Sequence, residues 1–135
     1  MNALKAAIYT KLTGASALTD LLASATSVYD ALAPRESTMP YVIFQQQGGG
    51  DENITQVRYK NWLYTIKAIS DVSMKTAGAI DAQIDTLMHG TTLTVTDWTN
   101  FQCVRETDIS YSETTAEGRN IWHVGGIYRI RLANA

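Results

Sequence analysis

The sequence predicts an α+β domain: a mainly antiparallel sheet, helices packed on one face, and a long C-terminal β-hairpin. Three observations carry this prediction. Apolar residues recur at helical spacing near the N-terminus and again between residues 73 and 89. Runs of β-branched and aromatic residues, bounded by turn residues, fill the remaining segments. The connections between neighbouring strands are short, which favours antiparallel pairing.

The elements follow in order. Leu4, Ala7, Ile8 and Leu12 form the stripe of a first helix, with Lys5 and Lys11 off it and Gly14 ending it. Ser16 is placed to cap a shorter second turn through Leu18, Leu21 and Leu22. Val28 and Tyr29 mark a weak strand, and Tyr41-Val42-Ile43-Phe44 a strong one that is apolar on both faces and starts after Pro40. A third strand runs from about Val57 to Ser70, with Trp62, Tyr64, Ile66 and Ala68 on one face. Ser73 to His89 is the long helix: Ala77, Ile80, Ile84, Leu87 and Met88 face the core and Asp81 and Asp85 face water. Asp71 or Ser73 caps its start and Gly90 ends it. A short strand with Leu93 and Val95 inward precedes two longer strands, residues 101–113 and 121–132, joined by a turn at 114–120. In the first of these, Cys103, Ile109 and Tyr111 are expected to share a side. In the second, Trp122, Val124, Tyr128, Ile130 and Leu132 share a face opposite His123, Arg129 and Arg131.

Size and composition bound the function. The chain has 135 residues, and surface scaling leaves roughly 7,000 Å² exposed of about 21,000 Å² in the unfolded chain. That supports one core, so residues 1–135 are read as a single domain. The 45% hydrophobic and 18% charged content excludes a disordered chain. No apolar run approaches the ~20 residues of a membrane span, and no secretory signal follows Lys5 and Lys11. The net charge is −2 and neither half is strongly basic, which speaks against a sequence-independent nucleic-acid binder. Cys103 is the single cysteine, so an internal disulfide and a cysteine-based zinc cage are excluded. With two histidines, His89 and His123, no metal site or cofactor is expected.

The residues offer little catalytic chemistry. Asp81 and Asp85 lie one helical turn apart but are read as a solvated face. His123 is placed on a polar face, away from any nucleophile, and Cys103 reads as a small buried hydrophobe. The aromatic residues fall on strand faces, where packing accounts for them without a base-stacking platform. An enzyme is not expected.

The stretch Gln45-Gln46-Gln47-Gly48-Gly49-Gly50-Asp51-Glu52-Asn53 stands apart. Three consecutive glycines beside two acids give freedom and negative charge without an anchor. It reads as a mobile hairpin tip, or as a segment ordered only by a neighbouring subunit or a lumen. A phosphate-binding loop is disfavoured, because no Gly-Lys-Ser/Thr ending follows and the next residues read as strand.

The ordered series of features over residues 1–132 resembles the tail completion (tail terminator) proteins of long-tailed bacteriophages. The resemblance rests on the short helix ending at Gly14, the Leu21-Leu22 turn and the strand Met39-Pro40-Tyr41-Val42-Ile43-Phe44. It continues through the aromatic strand 62–70, the Asp/Ser-led helix ending at Gly90, and the closing hairpin with Trp122 before Tyr128-Arg129-Ile130. The resemblance implies a structural virion protein: a homo-oligomeric ring, usually of six subunits, at the head-proximal end of the tail tube. Such a ring stops tube polymerisation and presents the surface to which the filled head attaches. The implied partners are the chain itself, the tail tube protein and a head completion or neck protein, with DNA passing through the lumen and no membrane or sequence-specific nucleic acid involved. The implied location is the head–tail junction of the virion, after assembly in the host cytoplasm. The alternatives are a head-side neck or connector protein and a small non-viral protein-binding domain.

The hairpin from Arg105 to Gly125 is longer than the rest of the sheet needs. Arg105, Glu106 and Arg119, with Ile109, Tyr111 and Ile121, mix ionic and apolar groups as an interface does. These residues, together with Gly48, Gly49, Gly50, Asp51 and Glu52, are the expected subunit interface or lumen surface.

Overall fold

A computed structural model describes residues 1–134. The chain forms α1 (Asn2–Thr13), α2 (Ser16–Thr19), β1 (Val28–Asp30), β2 (Tyr41–Glu52), β3 (Tyr59–Ser70), α3 (Met74–Met88), β4 (Thr94–Val95), β5 (Trp98–Thr114) and β6 (Asn120–Asn134). The six strands make one sheet in the order β1-β2-β3-β6-β5-β4. Among the described residues, only the β1–β2 pair is parallel. The sheet curls into a half-barrel, so the fold is the α+β architecture the sequence predicts.

All three helices contribute to one core against one face of the sheet. Leu4, Ile8 and Leu12 of α1, Leu18 of α2, and Ile80, Ile84 and Met88 of α3 pack on Phe44, Tyr64, Ile66, Tyr128, Ile130 and Leu132. Helices this short are unstable alone, and this packing is what holds them. The side chain of Ser73 accepts a hydrogen bond from the backbone N–H of Thr76 and caps α3. Gly90, at φ 72°, turns the chain away from the other end. Ser16 does not act as a cap: it is the first helical residue of α2, and Ala15, without a side-chain bond, precedes it.

Two expected core residues, Trp62 and Leu87, are only half-buried. For Leu87 the reason is the phase of the helix. The stripe that faces the sheet runs through Ala77, Asp81, Ile84 and Met88, so Leu87 falls on its flank. Ile84→Ala should therefore cost about 2–5 kcal/mol, and Leu87→Ala clearly less. Denaturant titration of the two variants measures the difference.

The second face of the sheet is not uniformly wet. Residues 31–40 lie over its lower end, where Ile43, Ile69 and Ile121 form a second apolar cluster with Ala33, Met39 and Tyr41. His123 lies on this face and is buried, at 6% exposure, where the alternation of β6 predicts a solvated position. Period-two alternation assigns a face; what covers that face is a matter of tertiary packing.

Strand β5 also departs from simple alternation. Register shifts between Asn100 and Gln102 and between Arg105 and Thr107 mark two bulges. Cys103 stands opposite Ile130 on the helix side, whereas Ile109 and Tyr111 stand opposite Gly125 and His123 on the other side. The bulge at Glu106 reverses the face, so Cys103 does not share one with Ile109 and Tyr111.

Candidate functional site

The glycine-rich stretch is strand, not a hairpin tip. Gln45 to Glu52 continue β2 and pair with β3 down to Glu52 opposite Tyr59; the turn is at residues 53–58. A bulge between Gln46 and Gly48 resets the register. Gly49 sits at φ 103°, and a Cβ there would lie 2.0 Å from the carbonyl oxygen of Asn61. Gly48 and Gly50 have nothing within 4 Å of the same position. The three glycines thus differ: one is required by the backbone, and two leave open space. Gly49→Ala should destabilise the subunit markedly in thermal denaturation, while Gly50→Ala should leave its melting temperature nearly unchanged.

The two acids beside the glycines are paired inside the subunit. Asp51 accepts hydrogen bonds from Arg58 at 2.9 Å and from Lys60. Those bonds hold its carboxyl down at about 2. Glu52 accepts from the side chain of Asn61 and lies 3.6 Å from Arg131 Nε. Pairing across the hairpin has taken up the free negative charge that the sequence places at this segment.

Arg105 is likewise turned inward. Its guanidinium makes a two-bond fork to Asp81, 2.9 Å for each bond, and donates to Asp108 at 2.7 Å and to the Gly125 carbonyl at 2.7 Å. The Tyr128 hydroxyl joins this group and donates to Asp85 at 3.1 Å. Gly126 leaves the room in which the arginine lies, since a Cβ there would meet Arg105 Nε at 2.5 Å. Burial works against the Arg105 charge, but the hydrogen bonds with Asp81 and Tyr128 outweigh it and raise its pKa. Asp81 is therefore not on a wet face, and Arg105 ties β5 to α3 within the subunit instead of offering a charge to a neighbour. The sequence carried one signal for this pair: Asp81 falls on the 77-81-84-88 stripe of α3.

Glu106, at the bulge of β5, pairs with Arg129, and the remaining expected residues gather on the distal hairpin. Tyr111 stacks on His123 with ring centroids 4.4 Å apart and accepts a hydrogen bond from Lys67 at 2.8 Å. His123 Nε2 lies 2.6 Å from Glu113. Ile109 is half-buried, Tyr111 is 42% exposed, and Ile121 is buried in the second apolar cluster. Arg119, near the tip, reaches back to Asp71. The turn is closed by the Thr115 N–H donating to the Arg119 carbonyl at 2.8 Å, with Gly118 at φ 82°.

Burial lowers the His123 pKa, with Lys67 adding to the effect and the Glu113 bond opposing it. The folded subunit thus holds this imidazole neutral. As pH falls below the unfolded value of about 6.5, the unfolded chain takes up a proton that the fold resists, so stability falls with it. Urea denaturation from pH 7.5 to 5.5 should show this loss, and His123→Gln should reduce it.

Beneath residues 31–40 lies a cleft of about 480 Å³ with Met39, Ile43 and Ile69 among its apolar walls and Lys67, Arg119 and His123 among its polar ones. Among the described residues, no group of three or more His, Cys, Asp or Glu side chains is placed to hold a metal ion.

The sheet ends in two open margins. β1 covers only Val42 to Phe44 of β2, and β4 covers only Trp98 and Thr99 of β5. The α3 terminus covers β5 a little further, where the Gly90 N–H donates to the Cys103 carbonyl at 2.7 Å and the Arg105 N–H to His89 Nδ1 at 3.0 Å. Beyond these points, among the described residues, neither strand has an outer neighbour.

Comparison with known proteins identifies a family and a shared fold. A family model described as Tail completion protein gp17 matches residues 6–122. A chain of a solved structure titled "Virion of native gene transfer agent (GTA) particle" has the same fold, with a TM-score of 0.80 and 21% identity over 98% of this chain and 96% of that one. No curated protein matches the chain.

Proposed function

Because the chain belongs to the tail completion protein gp17 family and is thus a structural protein of a phage tail, we propose that it works as a ring. The ring sits at the head-proximal end of the tail tube, stops tube polymerisation and presents the surface to which the filled head attaches. The observation that carries this reading is the pair of open margins on opposite sides of one sheet, β2 beyond Phe44 and β5 beyond Arg105. Two different surfaces on opposite sides of a subunit make head-to-tail contacts, and such contacts close into rings when the rotation per subunit permits. A stable contact of this kind buries at least ~1,000 Å².

The partners on this reading are further copies of the chain, most simply six in all, together with the tail tube below and a head completion or neck protein above. DNA passes through the lumen without being read. Gly48, Gly50, Ile109 and Tyr111 belong to the subunit contact; Asp51, Glu52 and Arg105, already paired, support it from within. Electron microscopy of the purified protein, alone and with tail tubes, tests the proposal. Rings, free or seated on one end of each tube, are expected. A protein that stays monomeric in both conditions would overturn it.

A further inference from the structure

Natural sheets protect their open edges with charges, prolines, short strands or a covering element. Here each open edge contains a stretch with neither charge nor proline. On β2, Gln45 to Gly50 is six residues without a charge. On β5, Ile109 to Ser112 is also uncharged.

The hydrogen-bond pattern shows which backbone groups these edges expose. The Val42 N–H donates outward to Ser27 and the Phe44 carbonyl accepts from Ala31, so the even residues of this part of β2 face outward, and Gln46 follows them. The bulge then transfers the outward groups to Gly49 and Asp51. On β5 the Arg105 N–H points outward. The bulge at Glu106 likewise shifts the parity, so Asp108, Ser110, Ser112 and Thr114 present their N–H and C=O groups away from β6.

The two edges fit each other. β2 and β5 run in opposite directions within the sheet, so a second copy in the same orientation brings its β2 antiparallel to β5 of the first. The side chains also fit: Ile109 and Tyr111 lie on the sheet face that Gly48 and Gly50 leave bare. An aromatic or β-branched residue beside a strand glycine covers the exposed backbone, a cross-strand pairing of the favourable kind. Gly49 is level with Cys103, about six ladder steps from Ser110, or roughly 20 Å along the strands. An offset of that size tilts the strands against the ring axis, as strands tilt in closed barrels.

We propose that the open edge of β5 in one copy pairs antiparallel with the open edge of β2 in the next, so that the sheets continue into one another around the ring. The proposal rests on the ring reading above and names its contact. Proline tests it, because a proline whose N–H would point outward removes no hydrogen bond of the subunit's own ladder. Ser112→Pro should keep the wild-type melting temperature and lose ring formation and tube capping, while Ser112→Ala should keep all three.

A second measurement does not depend on how proline is tolerated. Chains carrying Gln47→Cys are combined with Ser110→Cys, Ser112→Cys or Thr114→Cys in turn and oxidised as assembled rings. At least one pair should give a covalent ladder of subunits on a non-reducing gel. Cys103 stays silent, because burial pushes its thiol up to about 12. Wild-type rings with no cross-link from any pair, and normal rings from Ser112→Pro, would overturn the edge contact and leave the ring standing. A wild-type protein that forms no ring, alone or on tail tubes, would instead remove the ring reading.

Discussion

Asp81→Ala should destabilise the subunit by about 3 kcal/mol, the lower end of the range for removing one partner of a buried ion pair. Asp81 and Arg105 are each close to fully covered, with side chains 12% and 13% exposed, and they meet through two hydrogen bonds of 2.9 Å. Loss of the carboxylate leaves a guanidinium that cannot deprotonate and is largely shielded from bulk water. Asp108, Tyr128 and the Gly125 carbonyl still hold part of it, which keeps the effect from being larger. Chemical denaturation measures the loss. The double variant Asp81→Leu with Arg105→Met should recover much of it, because an apolar pair of similar volume carries no desolvation cost. A double variant as unstable as the single one would show that the loss comes from packing around Gly126 and not from the charge left partly unpaired.

Shortening the β5–β6 hairpin by removing residues 114–119 should leave a folded subunit that does not cap tails. Ser70 pairs with Trp122, so β3 ends there and residues 114–119 pair with no strand outside the hairpin. Their deletion removes the Arg119–Asp71 contact but no part of the helix-side core. Surface contacts of this kind contribute about 0–1 kcal/mol, so far-ultraviolet circular dichroism should show the native fold. Function should respond differently. Cells infected by phage with the shortened protein should accumulate overlong tails and unattached filled heads, visible by electron microscopy. Normal rings and tails of normal length would exclude this hairpin as an assembly element.

Local pattern along the chain was enough to set the elements and the main core. Leu4, Ile8, Leu12, Ile80, Ile84, Tyr128 and Ile130 lie where helical and strand periodicity put them, because those periods follow from local backbone geometry. Ser73 and Gly90 mark the ends of α3 for equally local reasons. The rest waited on contacts between distant segments. Gln45 to Glu52 became strand because β3 supplies a continuous partner, a contact that no local preference of glycine and glutamine predicts. Asp81 went inside because Arg105 arrives from 24 residues away along the chain, and His123 is covered by the Tyr111 ring that stacks on it from β5. The placement of Ile109 and Tyr111 followed from a bulge at Glu106, one extra residue that reverses a face without changing the sequence pattern around it. In each case, partners distant along the chain determined the outcome, and their meeting is fixed by the folded sheet.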